Sequence, residues 1–184
     1  MRTRTLKLLL SIIIMLISAA FYGQKYITKT GNIKFEASVP SFEEVAAENK
    51  SASAVLETST GEFAALALMK GFRFKVALME EHFNENYVES SKYPKATFKG
   101  KIEDFDASKI TASEKTFTIT GDLTLHGKTK KVSSVAKISK SGNTIKITGN
   151  FNVKPEDFDI EIPKIVSKKV ADKIAVDYNF SLNK

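Results

Sequence analysis

The chain has 184 residues, 42% of them hydrophobic, a formal net charge of +7 and no cysteine. Such a length and apolar content suffice for one domain with a real core, and the missing thiols exclude a disulfide scaffold, a thiolate metal site and lipidation at a cysteine. The lysines are scattered through strand-like segments, with a cluster at Lys128, Lys130 and Lys131 and a pair at Lys168-Lys169; no reading element accompanies them, so nucleic acid is not an expected partner.

The N-terminus opens with Arg2, Arg4 and Lys7, then an apolar stretch from Leu8 to Ile17 broken only by Ser11. Ser18-Ala19-Ala20 offers the small residues of a signal-peptidase site. The apolar run to Tyr22 is about 15 residues long, short of the roughly 20 that cross a bilayer as a helix. The expectation is a cleavable signal peptide over residues 1–20 and a single domain over 21–184, periplasmic or secreted. A retained N-terminal anchor is the competing reading. Cleavage after Ala20 removes three basic residues and no acid, which leaves a formal charge of +4.

From Asn32 onward the dominant period is two. Ile33, Phe35, Ala37 and Val39 alternate with Lys34, Glu36 and Ser38, as in a half-buried strand. After Pro40, Ser41 can cap a helical turn over residues 42–48, with Glu44 three positions on as in a capping box. Residues 51–58 and 62–69 read as two strands around Ser59-Thr60-Gly61. Val76, Met79, Phe83 and Tyr87 then form one stripe of a short helix over residues 76–87, with Glu80, Glu81 and Glu85 facing away. Ala96, Phe98, Gly100 and Ile102 carry the next strand, followed by Phe117, Ile119, Gly121, Leu123 and Leu125. Val132, Ser134, Ala136 and Ile138 lead to a turn at Ser141-Gly142-Asn143, and Ile145, Ile147, Gly149, Phe151 and Val153 follow it. Ile174, Val176, Tyr178, Phe180 and Leu182 end the series.

Eight strands with mostly short connections must bury one face and manage their edges. The expected fold is therefore all-β, an antiparallel eight-stranded barrel with one or two short helices covering an end; a sandwich is the rival. Gly100, Gly121 and Gly149 interrupt apolar faces, where glycine lets a strand coil or bulge. A barrel of this size either fills itself or holds one small ligand. The small inward candidates Ala37, Ala65, Ala67 and Ala96, with the three glycines, favour a cavity.

The residues offer no catalytic set. His82 and His126 are the only histidines, too few for a zinc site of recognisable spacing. No Gly-x-Ser-x-Gly turn or glycine-rich phosphate loop occurs. The carboxylate pairs Asp104/Asp106 and Asp157/Asp159 could each share a sheet face, but read more simply as solvated loop residues. No enzyme, metal or cofactor is expected.

Three stretches carry a family likeness: His82-Phe83-Asn84-Glu85-Asn86-Tyr87, Lys92-Tyr93-Pro94-Lys95-Ala96-Thr97-Phe98, and Gly121-Asp122-Leu123-Thr124-Leu125-His126-Gly127. In this order and spacing they resemble the YceI family, over roughly Gly31 to the C-terminus. The resemblance implies a lipocalin-like barrel walling a long apolar tunnel for a polyprenyl chain, such as an isoprenoid quinone or polyprenyl phosphate. Residue by residue it carries over to His82, Phe83, Tyr87, Tyr93-Pro94, Phe98, Leu123, Leu125, His126 and Gly127. The inward pattern and the aromatic inventory add Phe35, Phe72, Phe74, Met79, Phe117, Phe151, Phe158 and Tyr178 as candidate ligand contacts. Glu80-Glu81 stand where the family often has Arg-Asp, and Lys154-Pro155-Glu156-Asp157-Phe158 where an Arg-x-Asp-aromatic motif is common. Both departures remove a guanidinium fork suited to phosphate and leave an apolar tunnel untouched.

The expected partner is a long-chain isoprenoid or similar apolar lipid, bound for carriage or storage. A filled barrel acting as an envelope interaction or structural protein is the alternative, and an enzyme on isoprenoid substrates a third. For His82 and His126 two roles stay open: a hydrogen bond to the lipid head, or one to a nearby backbone carbonyl. Transient membrane contact and a homodimer also stay open.

Overall fold

The computed structural model describes residues 25–40 and 42–184, so the expected signal peptide lies outside the described residues. Nine strands form one antiparallel sheet: β1 (Lys25–Ser38), β2 (Ala46–Glu57), β3 (Glu62–Leu68), β4 (Arg73–Phe74), β5 (Lys95–Ile102), β6 (Lys115–Leu125), β7 (Lys128–Ser141), β8 (Thr144–Val153) and β9 (Val170–Asn183). Their order is β1-β9-β8-β7-β6-β5-β3-β2, and β1 pairs with β2, so eight strands close into a barrel rather than a sandwich. The two-residue β4 pairs with the start of β2, beyond the end of β3. The lipocalin-like barrel expected from sequence is thus present.

Period-two alternation places the inward face as expected on most strands. Along β9, Tyr178, Phe180 and Leu182 are buried and their neighbours exposed, and along β7 so are Ser134, Ala136 and Ile138. β1 and β2 behave differently. Tyr26 and Thr28 are buried on β1, then parity flips and Gly31 and Ala37 are buried instead. On β2 the buried set changes from Ala47 and Asn49 to Ala52, Ala54 and Leu56. Two register shifts around Gly31 account for this, one extra residue on each strand. A bulge of one residue exchanges the faces, which is why alternation reveals β1 only from its second half.

The expected helical turn over residues 42–48 is not formed. Residues 42–45 are irregular, and β2 begins at Ala46. Ala47 is 3% exposed and pairs with both Phe35 and Phe74, so sheet pairing and burial override the local helix signal. The expected helix over residues 76–87 is instead an α-helix, α1 (Ala77–His82), continued by a π-turn at Phe83–Tyr87. Glu80 does not face away: it pairs with Arg73 at 2.8 Å and accepts the Phe74 N–H at 3.2 Å, binding α1 to β4.

Of the two roles expected for the glycines, coiling or bulging, no bulge occurs. Register runs unbroken through the facing pair Gly100 and Gly121, and through Gly149. What glycine provides there is close approach. A Cβ on Gly121 would stand 2.4 Å from the Gly100 Cα and 2.7 Å from the Phe98 ring, and one on Gly149 would stand 2.4 Å from the Tyr178 hydroxyl. The missing side chains are replaced by aromatic rings lying on the sheet.

The two barrel ends differ. Where the short turns between β2 and β3 and between β7 and β8 lie, the interior is filled: Leu56, Ile102, Ile138, Ile145, Ile147 and Leu182 are at most 1% exposed. The opposite end carries the long β3–β5 and β8–β9 connections, the second of which contains α2 (Lys164–Ser167). There the interior is open.

Candidate functional site

A cavity of about 360 Å³ opens at the covered end. It is walled by strand residues such as Phe35, Leu123, Leu125, Phe151 and Val153, and roofed by Met79, Phe83 and Tyr87 from α1 and its π-turn. A second space of about 80 Å³ lies deeper, lined by Phe63, Phe98, Ile119, Tyr178 and Phe180 among others. Ile33, Ala67, Ala96, Leu123, Phe151 and Val176 border both, so the two adjoin along one apolar passage leading toward the filled half, with these side chains between them.

Each wall segment has a local reason for its place. The π-turn carries an N–H of Val88 to the Phe83 carbonyl at 2.9 Å, a wider winding that keeps Phe83 and Tyr87 on the side already occupied by Met79. Phe83 meets the rings of Phe35, Phe72 and Phe74 at centroid distances of 5.4, 5.8 and 5.1 Å. Aromatic pairs at these separations each add about 0.5–1.5 kcal/mol beyond burial, so this cluster fastens the roof to β1 and β4. Ala67 and Ala96 face each other across β3 and β5; with Cβ alone on each, the passage stays open between them.

Polar groups in the passage are few and mostly satisfied. The Ser134 hydroxyl donates to the Asn150 carbonyl at 2.7 Å and stands 2.8 Å from the Tyr178 hydroxyl. Burial pushes the Tyr178 phenol above its ordinary value, against the smaller effect of that hydrogen bond. Outside the passage, Asn49, fully buried at the β2 bulge, donates to the Leu68 carbonyl at 2.9 Å and accepts from the Ser51 N–H at 2.9 Å. At the mouth, His82, Lys154 and Lys169 contribute the polar rim, with Lys154 held by Glu156 at 3.1 Å. An arrangement of this kind takes up hydrocarbon: its deep hydroxyls are engaged with protein partners, and its charged donors lie at the opening.

Of the residues singled out from sequence, Phe35, Phe72, Phe74, Met79, His82, Phe83, Tyr87, Leu125 and Phe158 line the wide cavity. Phe98 and Tyr178 line the deep one, and Leu123 and Phe151 border both. Two stand apart. Phe117 packs on Phe105 at 6.2 Å, on the same strand face but at the filled end. His126 lines neither cavity: its Nδ1–H donates to the Phe158 carbonyl at 2.9 Å, and its Nε2 lies 2.8 Å from Glu89 Oε2. The carboxylate pairs are solvated as read, with Asp106 capping a short turn at Ala107–Lys109 and Asp157 and Asp159 paired with Lys130 and Lys128. Sequence reading missed the rim residues Val45, Ile160, Ile162 and Val166. The alternation Phe158, Ile160, Ile162 carried a signal, but it is too short to separate from loop.

A family profile described as the YceI-like domain matches residues 23–182. Among solved structures, the chain is similar to a polyisoprenoid binding domain from Saccharophagus degradans implicated in plant cell wall breakdown: TM-score 0.75, 14% identity, 88% of this chain and 98% of that one covered. It is also similar to Burkholderia cenocepacia BcnA, with TM-score 0.68, 17% identity and coverage of 84% and 96%. For the Campylobacter jejuni YCEI protein the values are 0.63, 19%, 79% and 88%. No curated protein matches the chain.

Proposed function

This chain belongs to the YceI-like domain family, and we propose that it is an exported, non-enzymatic binder of one long-chain apolar lipid, an isoprenoid by preference. The hydrocarbon lies in the passage and the polar end stays at the mouth, beside His82, Lys154 and Lys169. In the periplasm or outside the cell, the barrel shields that chain from water during carriage or storage. The observation that carries this reading is the apolar lining of two adjoining spaces, the wider of which, about 360 Å³, falls in the usual range for ligand pockets. Each CH₂ buried there contributes about 0.8 kcal/mol, so a few isoprene units bind tightly without any charge contact. A structural neighbour described as a polyisoprenoid binding domain supports the same ligand class.

The small residues between the two spaces provide the test. Ala96→Phe fills the passage opposite Ala67 without adding a polar atom. The variant should melt no lower than the parent and lose affinity for a polyprenyl quinone by tenfold or more. Unchanged affinity in a folded variant would contradict the passage as the binding site.

A further inference from the structure

The mouth of the cavity is bordered by three segments that each pair a lining residue with an exposed apolar neighbour. Val45 lines the cavity near Phe42, which is 48% exposed; Met79 lines it beside Leu78, 57% exposed; and Val166 lines it beside Ile165, 88% exposed. Their charges differ. Glu43 and Glu44 follow Phe42, and Glu80 and Glu81 follow Leu78, whereas Ile165 sits between Lys164 and Lys168-Lys169.

These lysines are unlike the chain's other basic cluster. Lys128, Lys130 and Lys131 are neutralised by Asp159, Asp157 and Asp122 at 2.7, 4.0 and 3.6 Å. For Lys164, Lys168 and Lys169 no carboxylate lies within ion-pair distance among the described residues. The nearest acids in sequence, Glu161 and Asp172, leave the segment from 161 to 173 with a basic excess. An isoleucine this exposed, ringed by unpaired lysines and one residue from the cavity wall, matches the chemistry of a lipid interface: apolar insertion and attraction to anionic headgroups.

We propose that the α2 edge of the mouth docks on an anionic bilayer, with Ile165 entering the headgroup layer and Lys164 and Lys168 on lipid phosphates. The bound lipid then passes between bilayer and cavity along Val166 and Lys169. This rests on the lipid-binding reading and adds the surface through which exchange occurs. Glu44 and Glu80 are held by Lys75 and Arg73, but Glu43 near Phe42 and Glu81 near Leu78 have no ion-pair partner among the described residues; they keep those two residues off the same surface, so the barrel meets it tilted, α2 side down.

Sedimentation of the purified protein with vesicles tests the proposal. Vesicles of phosphatidylglycerol and phosphatidylcholine should carry the protein down at low salt, and pure phosphatidylcholine vesicles should carry at least tenfold less. Each lysine near such a surface contributes on the order of fivefold in partition. The double variant Lys164→Gln, Lys168→Gln, and separately Ile165→Ser, should therefore lose binding by fivefold or more. None of these positions lines the cavity, so each purified variant should bind a polyprenyl quinone in titration as the parent does. That titration separates the two readings: loss of vesicle binding with quinone binding retained supports docking alone, and a parent that binds no quinone counts against the cargo instead. Equal sedimentation with both vesicle types, or variants that bind as the parent does, would overturn the proposal. So would a protein that elutes as a dimer and becomes a monomer in Ile165→Ser, since the face would then belong to a second copy.

Discussion

His126 takes the second of the two roles that the sequence left open for it, a hydrogen bond to a backbone carbonyl. Leu125-His126-Gly127-Lys128 joins β6 to β7, with φ +50° at His126 and +75° at Gly127, the two left-handed residues that a tight hairpin turn demands. The turn aims the imidazole away from the passage, at 10% side-chain exposure, onto Glu89 beyond the π-turn and onto the Phe158 carbonyl. Tyr93 closes against it edge-on at 4.5 Å, and its ring also lies 2.7 Å from where a Cβ on Gly127 would stand. One side chain thus joins the hairpin to both long connections of the open end. His126→Phe should cost roughly 1–3 kcal/mol, since it leaves the Phe158 carbonyl unpaired. It should weaken a prenyl quinone and a bare prenyl hydrocarbon alike; thermal melts and titration with the two ligands check this. A loss confined to the quinone would mean that the histidine reaches the head group.

At the scale of elements, alternation makes the strands legible because each has one wet and one dry face. It fails at two kinds of place. Paired bulges on β1 and β2 reverse parity in mid-strand, and the seven residues before Asn32 then read as unpatterned. The segment 42–48 has a capping pattern, yet Ala46–Glu48 find partners on β1, and Ala47 and Glu48 also on β4, that no local pattern displays. Alternation also reports which face a residue occupies and nothing about its height in the barrel. β8 shows the consequence. Ile147 and Phe151 share its inward face four residues apart, but Ile147 is fully buried in the filled half while Phe151 borders both cavities. Ile147→Ala should therefore cost about 2–5 kcal/mol, as buried aliphatic truncations do, with lipid content unchanged. Phe151→Asp should fold and come out empty, because the open half lets water reach the carboxylate once no hydrocarbon occupies it. Denaturant melts with lipid extraction decide the matter. If both variants lose stability equally and neither loses lipid, the division of the barrel is wrong.

The whole molecule is a barrel whose two halves do different things. The end with short turns is packed by aliphatic side chains and holds the eight strands together; the end with long connections forgoes that packing. Its apolar wall is then stabilised by whatever apolar chain fills it, which is the physical basis for expecting cargo. The YceI-like motifs in the sequence lead to this end: His82-Phe83, Tyr87 and Leu123-Leu125 all border its cavity. They could not show that the other end is filled, where Ile102, Ile138 and Ile147 are fully buried and line neither space. The most direct measurement is native mass spectrometry of protein purified without detergent, followed by organic extraction of the same sample. One prenyl lipid per chain, released when the protein unfolds, is the predicted result. A protein that is reproducibly empty and no less stable to heat than a lipid-loaded sample would contradict it.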